Sequence, residues 1–305
     1  MSTHGVDGSD GTSTPGVDSG PTDEASPGAP PTGNSFLGDV RVNFTRWNRK
    51  AIRNPTAFLL EIVIGLFSLV LFAAVFGDVG EFALAEAGYA DVGYVTYLVP
   101  AVLMQATIGS SFNSGIGLVD DLQTGMFEKT TVAPMSWTAV FAGKAASELV
   151  RIVLQVSAVL ALAVAMGATI ETGLPGGVAI VAVCLPVGVL FMAVSNVLGM
   201  LARDDEVLNA ATMLFMFPLL FLSPAFIPMS SEIEPLATVN PVTYGVDAVR
   251  ALVLGEDVMT VLDATAFGGV WNTLVPALSV LVALDLVVGA LAVWLLGRAS
   301  SADAD

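Results

Sequence analysis

Apolar residues in this chain come in long runs broken by short polar interruptions. The first run, TAFLLEIVIGLFSLVLFAAVFG, covers about 56–77, and others cover about 94–118, 139–167, 176–201, 207–227 and 273–297. Each is near the twenty or so residues that a helix needs to cross a hydrocarbon layer roughly 30 Å thick. The pattern therefore predicts an all-α membrane protein with six transmembrane helices. Pro100, Pro186 and Pro218 fall inside these runs and are expected to kink them.

The segments between the runs carry patterns of their own. In SFLGDVRVNFTRWNRKAIRNP, Phe36, Val40, Phe44, Trp47 and Ala51 recur at helical spacing beside Arg41, Arg46, Arg49, Lys50 and Arg53. That composition predicts an amphipathic helix at 36–54 lying in the membrane interface, with basic groups on lipid phosphates and Trp at headgroup depth. Before the last run lie about 45 residues that read neither as a span nor as a hydrophilic loop. Within them Asn240 suits a helix N-cap and Pro241 the first turn, with Tyr244, Ala248 and Leu252 on one face. These predict short interfacial or re-entrant helices on the external side, which membrane depth tolerates only where protein or water satisfies their backbone. Residues 1–35 hold five acids, no Lys or Arg and little apolar material, which predicts a disordered tail and lacks the pattern of a signal peptide.

Composition narrows the class further. The 305 residues are 54% hydrophobic and 13% charged, with a net charge of −17, which argues against nucleic acid as a partner. Only 3 Lys accompany 8 Arg, and an acidic, lysine-poor surface is what concentrated salt selects, so a halophilic source is expected. Cys184 is the only cysteine and His4 the only histidine. A disulfide within the chain is thereby excluded, as are most zinc sites and histidine-based hydrolysis, and neither a metal ligand set nor a catalytic residue is assigned. With six spans, Arg41, Arg46, Arg49, Lys50, Arg53, Lys129, Lys144, Arg203 and Arg298 all fall on the side of the termini. The opposite loops hold only Arg250 against eleven acids. This asymmetry places both termini, including a tail at 299–305, in the cytoplasm of a multi-pass protein of the cell membrane.

The polar segment GMFEKTTVAPMSW, residues 125–137, thus faces the cytoplasm between the second and third runs. With its flanks, GIGLVDDLQTGMFEKTTVAPMSWTAVFAGK, it resembles the cytoplasmic loop of type 2 ABC exporter permeases, the family that moves drugs, lipids or polysaccharides. The resemblance extends over residues 36–298, including the basic N-terminal helix ending in RNP and the pattern YLVPAVLMQ. Most specific is FLSPAFIPMSSEIEPLATVNPVTYGVDAVRALVLG, where Pro228, Pro235, Asn240, Pro241 and Arg250 keep the family's order as an external re-entrant motif. Ala101 and Pro224 stand where the family commonly has Gly.

The resemblance implies a transport subunit rather than an enzyme. Its cytoplasmic loop would dock on a separate ABC ATPase, using the charged pair Asp120 and Asp121 followed by Gly125, Met126, Phe127, Glu128, Lys129 and Pro134. A second copy or a paralogue would complete a dimer in the bilayer. ATP and Mg would sit on the ATPase: Gly143-Lys144 is followed by Ala and lacks the upstream Gly of a phosphate-binding loop. A membrane-embedded enzyme, or a channel not driven by ATP, is the alternative. An aspartate-dyad protease would need two facing acids, for which Glu61 and Asp285 are poor candidates, and no span carries a ring of like polar residues.

Glu61, Glu148, Arg151 and Asp285 are the intramembrane charges singled out within the runs. Glu148 and Arg151 are three residues apart, the spacing at which helix side chains meet, and read as a structural pair rather than a substrate site. Glu61 and Asp285 either line a polar cavity or the subunit seam, or snorkel. Ser110, Ser111, Asn113 and Ser114 suit hydrogen bonds between helices.

Overall fold

The computed structural model describes residues 35–53, 55–124, 137–226, 228, 234–262 and 265–302, and among these there is helix but no strand. In chain order the helices are α1 (Phe36–Arg53), α2 (Pro55–Glu86), α3 (Tyr94–Gln123), α4 (Trp137–Ala165) and α5 (Gly173–Ala202). They continue with α6 (Asp205–Phe221), α7 (Glu234–Thr238), α8 (Pro241–Leu254) and α9 (Trp271–Ala302). The tail at 1–34 lies outside the described residues.

By length and composition, α2, α3, α4, α5 and α9 can each cross a membrane. The run expected at 207–227 is a shorter helix, α6, of 17 residues, at the lower limit of the roughly 17–25 that span. Its end is set where Leu222 leaves helical geometry two residues before Pro224, which has no N–H to continue the ladder. Conversely α2 runs on past 77 to Glu86. Its extension is held by packing: a Cβ on Gly80 would fall 2.2 Å from the Tyr94 ring, so the missing side chain admits that ring, and Leu84 is buried.

Polarity decides which helix is central. The most enclosed of the candidate spans is α3, packed against α2, α4, α5, α6 and α8. It buries Thr107, Ser110, Ser111 and Ser114, polar groups that are costly to place against hydrocarbon. By contrast α2 and α9 are apolar on nearly every side and stay peripheral. The approach of α3 to α5 is close because Gly115 has no side chain: a Cβ there would lie 2.2 Å from Ser195 Oγ. Ser195 Oγ instead accepts from the Gly115 N–H at 3.0 Å and donates to the Phe112 carbonyl at 2.8 Å.

The burial of α8 goes beyond the single covered face expected from Tyr244, Ala248 and Leu252. Every residue from Val242 to Val253 is buried, so the helix is a core element packed on α3, α5 and α9 rather than one with a single covered face. Its carbonyl end is satisfied from the α4–α5 turn, where the Glu171 N–H donates to the Val253 carbonyl at 2.8 Å and the Thr172 hydroxyl to that of Leu252.

Candidate functional site

Arg46 and Lys50 stand one turn apart on α1, so both point to the same side. That side meets the end of α3. Arg46 Nη2 lies 3.1 Å from Asp121 Oδ2, and Lys50 Nζ lies 2.6 Å from Asp120 Oδ2 and 3.3 Å from Asp121 Oδ1. Partial burial works against the Lys50 charge, but the Asp120 hydrogen bond and the field of Asp121 outweigh it and raise its pKa. The two aspartates are thus clipped to α1 immediately before the 125–136 loop. Gly125, Met126, Phe127, Glu128, Lys129 and Pro134 themselves lie outside the described residues.

Beneath the clip, α1 docks on α4 at Gly143, where a Cβ would sit 2.6 Å from Asn43 Cβ and 2.6 Å from the Val40 carbonyl oxygen. The stripe that α1 buries is Asp39, Asn43 and Trp47, while Leu37, Val42 and Ile52 are exposed beside its arginines. Three cations approach the buried Trp47 ring: the Arg46 guanidinium at 5.2 Å, Lys50 Nζ at 4.9 Å and Lys144 Nζ at 4.9 Å from its centroid. Lys144 is itself buried and donates to the Ser114 carbonyl and, at 3.3 Å, to Asn196 Oδ1.

Deeper in the bundle, Arg151 Nη1 pairs with Glu148 Oε2 at 3.2 Å, as the three-residue spacing indicated. Its other arm, Nη2, pairs at 2.5 Å with Glu61 Oε1 from α2. The sequence placed Glu61 in a span but held no signal for this partner, because the two are 90 residues apart and meet only when α2 packs on α4. Asp285, on α9, makes no ion pair among the described residues.

The motif near the last span is drawn together around α8. Asn240 Oδ1 accepts from the Val242 N–H at 3.0 Å as an N-cap, and its Nδ2 donates at 2.6 Å to the Leu219 carbonyl near the end of α6. Arg250 Nη2 donates at 2.7 Å to the Pro224 carbonyl, and the guanidinium lies 3.9 Å from the centroid of the Tyr97 ring. Sequence reasoning missed Asp247, which is buried on α8 and accepts from the Thr260 hydroxyl at 2.7 Å and its N–H at 3.0 Å. Pro241 opens α8 and Pro235 lies exposed in α7, and neither they nor Pro228 join the polar cluster.

What these arrangements can do is mechanical. They tie α1 to the end of α3, and cross-link apolar helices by charge. Such a molecule is a multi-helix membrane protein. Residues 39–254 match the family model for the ABC-2 type transporter, and the chain belongs to that family as a permease subunit. It is similar to the daunorubicin resistance ABC transporter permease protein DrrB1 of Streptomyces coeruleorubidus, 26% identical over 204 residues, 66% of this chain and 70% of that one. The putative transport permease ycf38 of Pyropia yezoensis is 23% identical over 228 residues, 72% of this chain and 75% of its own. That of Cyanophora paradoxa is 25% identical over 224 residues, 71% and 74% respectively.

Proposed function

We propose that this chain forms the translocation path of an ATP-driven exporter in the cell membrane, working as a dimer with a second copy or a paralogue and with separate ATPase subunits. One observation carries the reading: Asp120 and Asp121, which lead into the 125–136 loop, are anchored to α1 through Lys50 and Arg46. A push on that loop would therefore move α1 and α3 together. ATP and Mg would be held by the ATPase, and the preference of ATP for its closed state supplies the free energy, since a ligand shifts an equilibrium only by its differential affinity. In this reading α6 is the sixth span, α7 and α8 are re-entrant from the outside, and both termini are cytoplasmic. Export as the direction is supported by the name of the relative, a resistance permease.

The test is an ATPase pull-down with transport measured at matched expression. Phe127 is the aromatic of the loop, and loss of an interface anchor commonly costs upwards of about 2 kcal/mol. Phe127→Ala is expected to weaken ATPase association or transport roughly tenfold or more, while Glu206→Gln, exposed in the first turn of α6, leaves both unchanged. Full ATPase binding and full transport by Phe127→Ala would sink the coupling role.

A further inference from the structure

Asp247 and Arg250 are opposite charges three residues apart on α8, both buried, and among the described residues neither has an ion-pair partner. Each holds a different segment instead. Asp247 Oδ2 accepts from the Thr260 hydroxyl at 2.7 Å and from its N–H at 3.0 Å, so an exposed loop residue is tied over a buried carboxylate. Arg250 Nη2 donates to the Pro224 carbonyl at 2.7 Å and to that of Ala225 at 3.3 Å, in the segment that follows α6. These bonds leave one group over on each side chain. Asp247 Oδ1 is a buried acceptor without a donor, and Arg250 Nε is a buried donor without an acceptor.

The two leftover groups suit each other. Residues three apart on a helix are neighbours, and the tilt of Cα–Cβ bonds toward the N-terminus brings Arg250 within reach of the turn that carries Asp247. A buried group left unmet is costly, and so is a buried charge without its counter-ion. Pairing Arg250 with Asp247 removes both deficits, at the expense of the bonds to Thr260, Pro224 and Ala225. Thr243 Oγ, one turn before Asp247, is also buried and unpartnered, but an uncharged hydroxyl does not replace the ion pair. We infer that α8 carries a two-position charge switch: in the position described above Asp247 holds Thr260 while Arg250 holds Pro224 and Ala225, and in the other the two side chains pair and release both segments together. The Tyr97 ring, 3.9 Å from the guanidinium, favours the first position. That the release opens the outer side of the path rests on the exporter reading; the exchange of partners does not.

The release is read on the purified chain in lipid nanodiscs, carrying Cys184→Ala and Ala225→Cys, by the rate at which the thiol at 225 is labelled with fluorescein maleimide. Ala225 is fully buried, so labelling in this parent is slow. Thr260→Val strips one bond from Asp247 and should speed labelling about tenfold, the worth of a hydrogen bond to a charged group. Adding Asp247→Asn should return the rate to that of the parent, because a neutral amide offers Arg250 no ion pair. Thr260→Ser keeps the hydroxyl and should label at the parent rate, with thermal melting confirming that each variant folds. A bond at Thr260 that only fastens its own loop predicts an unchanged rate at 225 in Thr260→Val, and that result would overturn the switch. So would a rise that persists when Asp247→Asn is added, or one equally large in Thr260→Ser. No ATPase enters this assay, so its failure leaves the pull-down untouched, and failure of the pull-down leaves the labelling result standing.

Discussion

Asn240 carries two jobs on one amide. Its oxygen caps α8 and its nitrogen holds the Leu219 carbonyl, so α6 and α8 are pinned by a single side chain. Asn240→Asp keeps the cap acceptor and loses the donor, while Asn240→Ala loses both. The cap is worth about 1 kcal/mol, and a carbonyl stripped of its donor costs a further 1–3 kcal/mol or so. Melting in detergent should rank wild type above Asp and Asp above Ala; equal melting of the two variants would mean that the Leu219 bond contributes nothing. Arg250 poses the same question for charge. Its flat guanidinium both stacks on Tyr97 and donates sideways to the Pro224 carbonyl, a geometry that an ammonium cannot copy. Arg250→Lys is accordingly expected to destabilise by about 1.5–3 kcal/mol, the worth of a hydrogen bond to a charged group.

At the scale of elements, the docking of α1 decides how the cytoplasmic face is built. Gly143 is the contact that permits it, because even a methyl group would overlap the α1 backbone. Gly143→Val should lift α1 and speed amide hydrogen exchange there, with α5 and α9 unaffected. Protection of α1 as in the wild type would show that the helix is held elsewhere. The two clip residues should not count equally. Lys50 and Asp120 are each about half exposed, where ion pairs contribute roughly 0–1 kcal/mol, whereas Asp121 is mostly covered. Arg46→Ala should thus loosen the clip more than Lys50→Ala. Because the Lys50 pKa is raised, its share of the stability is complete below the free lysine value of 10.5 and is lost only as pH rises through the higher folded value. The clip's Lys50 contribution should be flat between about pH 6 and pH 9, and a decline within that range would contradict the pairing.

For the whole molecule, the basic asymmetry of the sequence predicts one topology. Cysteines introduced at Ser9 and Ser301 should be shielded from an impermeant thiol reagent in intact cells, and one at Glu232 should react; outside labelling at Ser9 would reverse the orientation. The peripheral helices bear on assembly. Since α2 and α9 are the least enclosed spans, a second copy has apolar surface to meet there, and crosslinking in native membranes should yield a species of about two permease masses. A strictly monomeric, fully active reconstituted protein would exclude the dimer.

Element type was legible early because a bilayer imposes a single length on any apolar helix that crosses it. Hence a helix over Phe36–Arg53, five of the long runs and the start of α8 at Pro241 follow from hydropathy and capping chemistry alone. The Glu148–Arg151 pair was legible too, since three-residue spacing is a property of one helix. Partners on different helices were not. That Asp120 and Asp121 meet Lys50 and Arg46, that Glu61 takes the second arm of Arg151, and that Asp247 is buried at all depend on which faces pack. Those faces are chosen by glycine approaches at 80, 115 and 143 and by the burial of polar groups along α3. No local pattern encodes such choices, because side chains far apart in sequence are brought together only when the bundle closes.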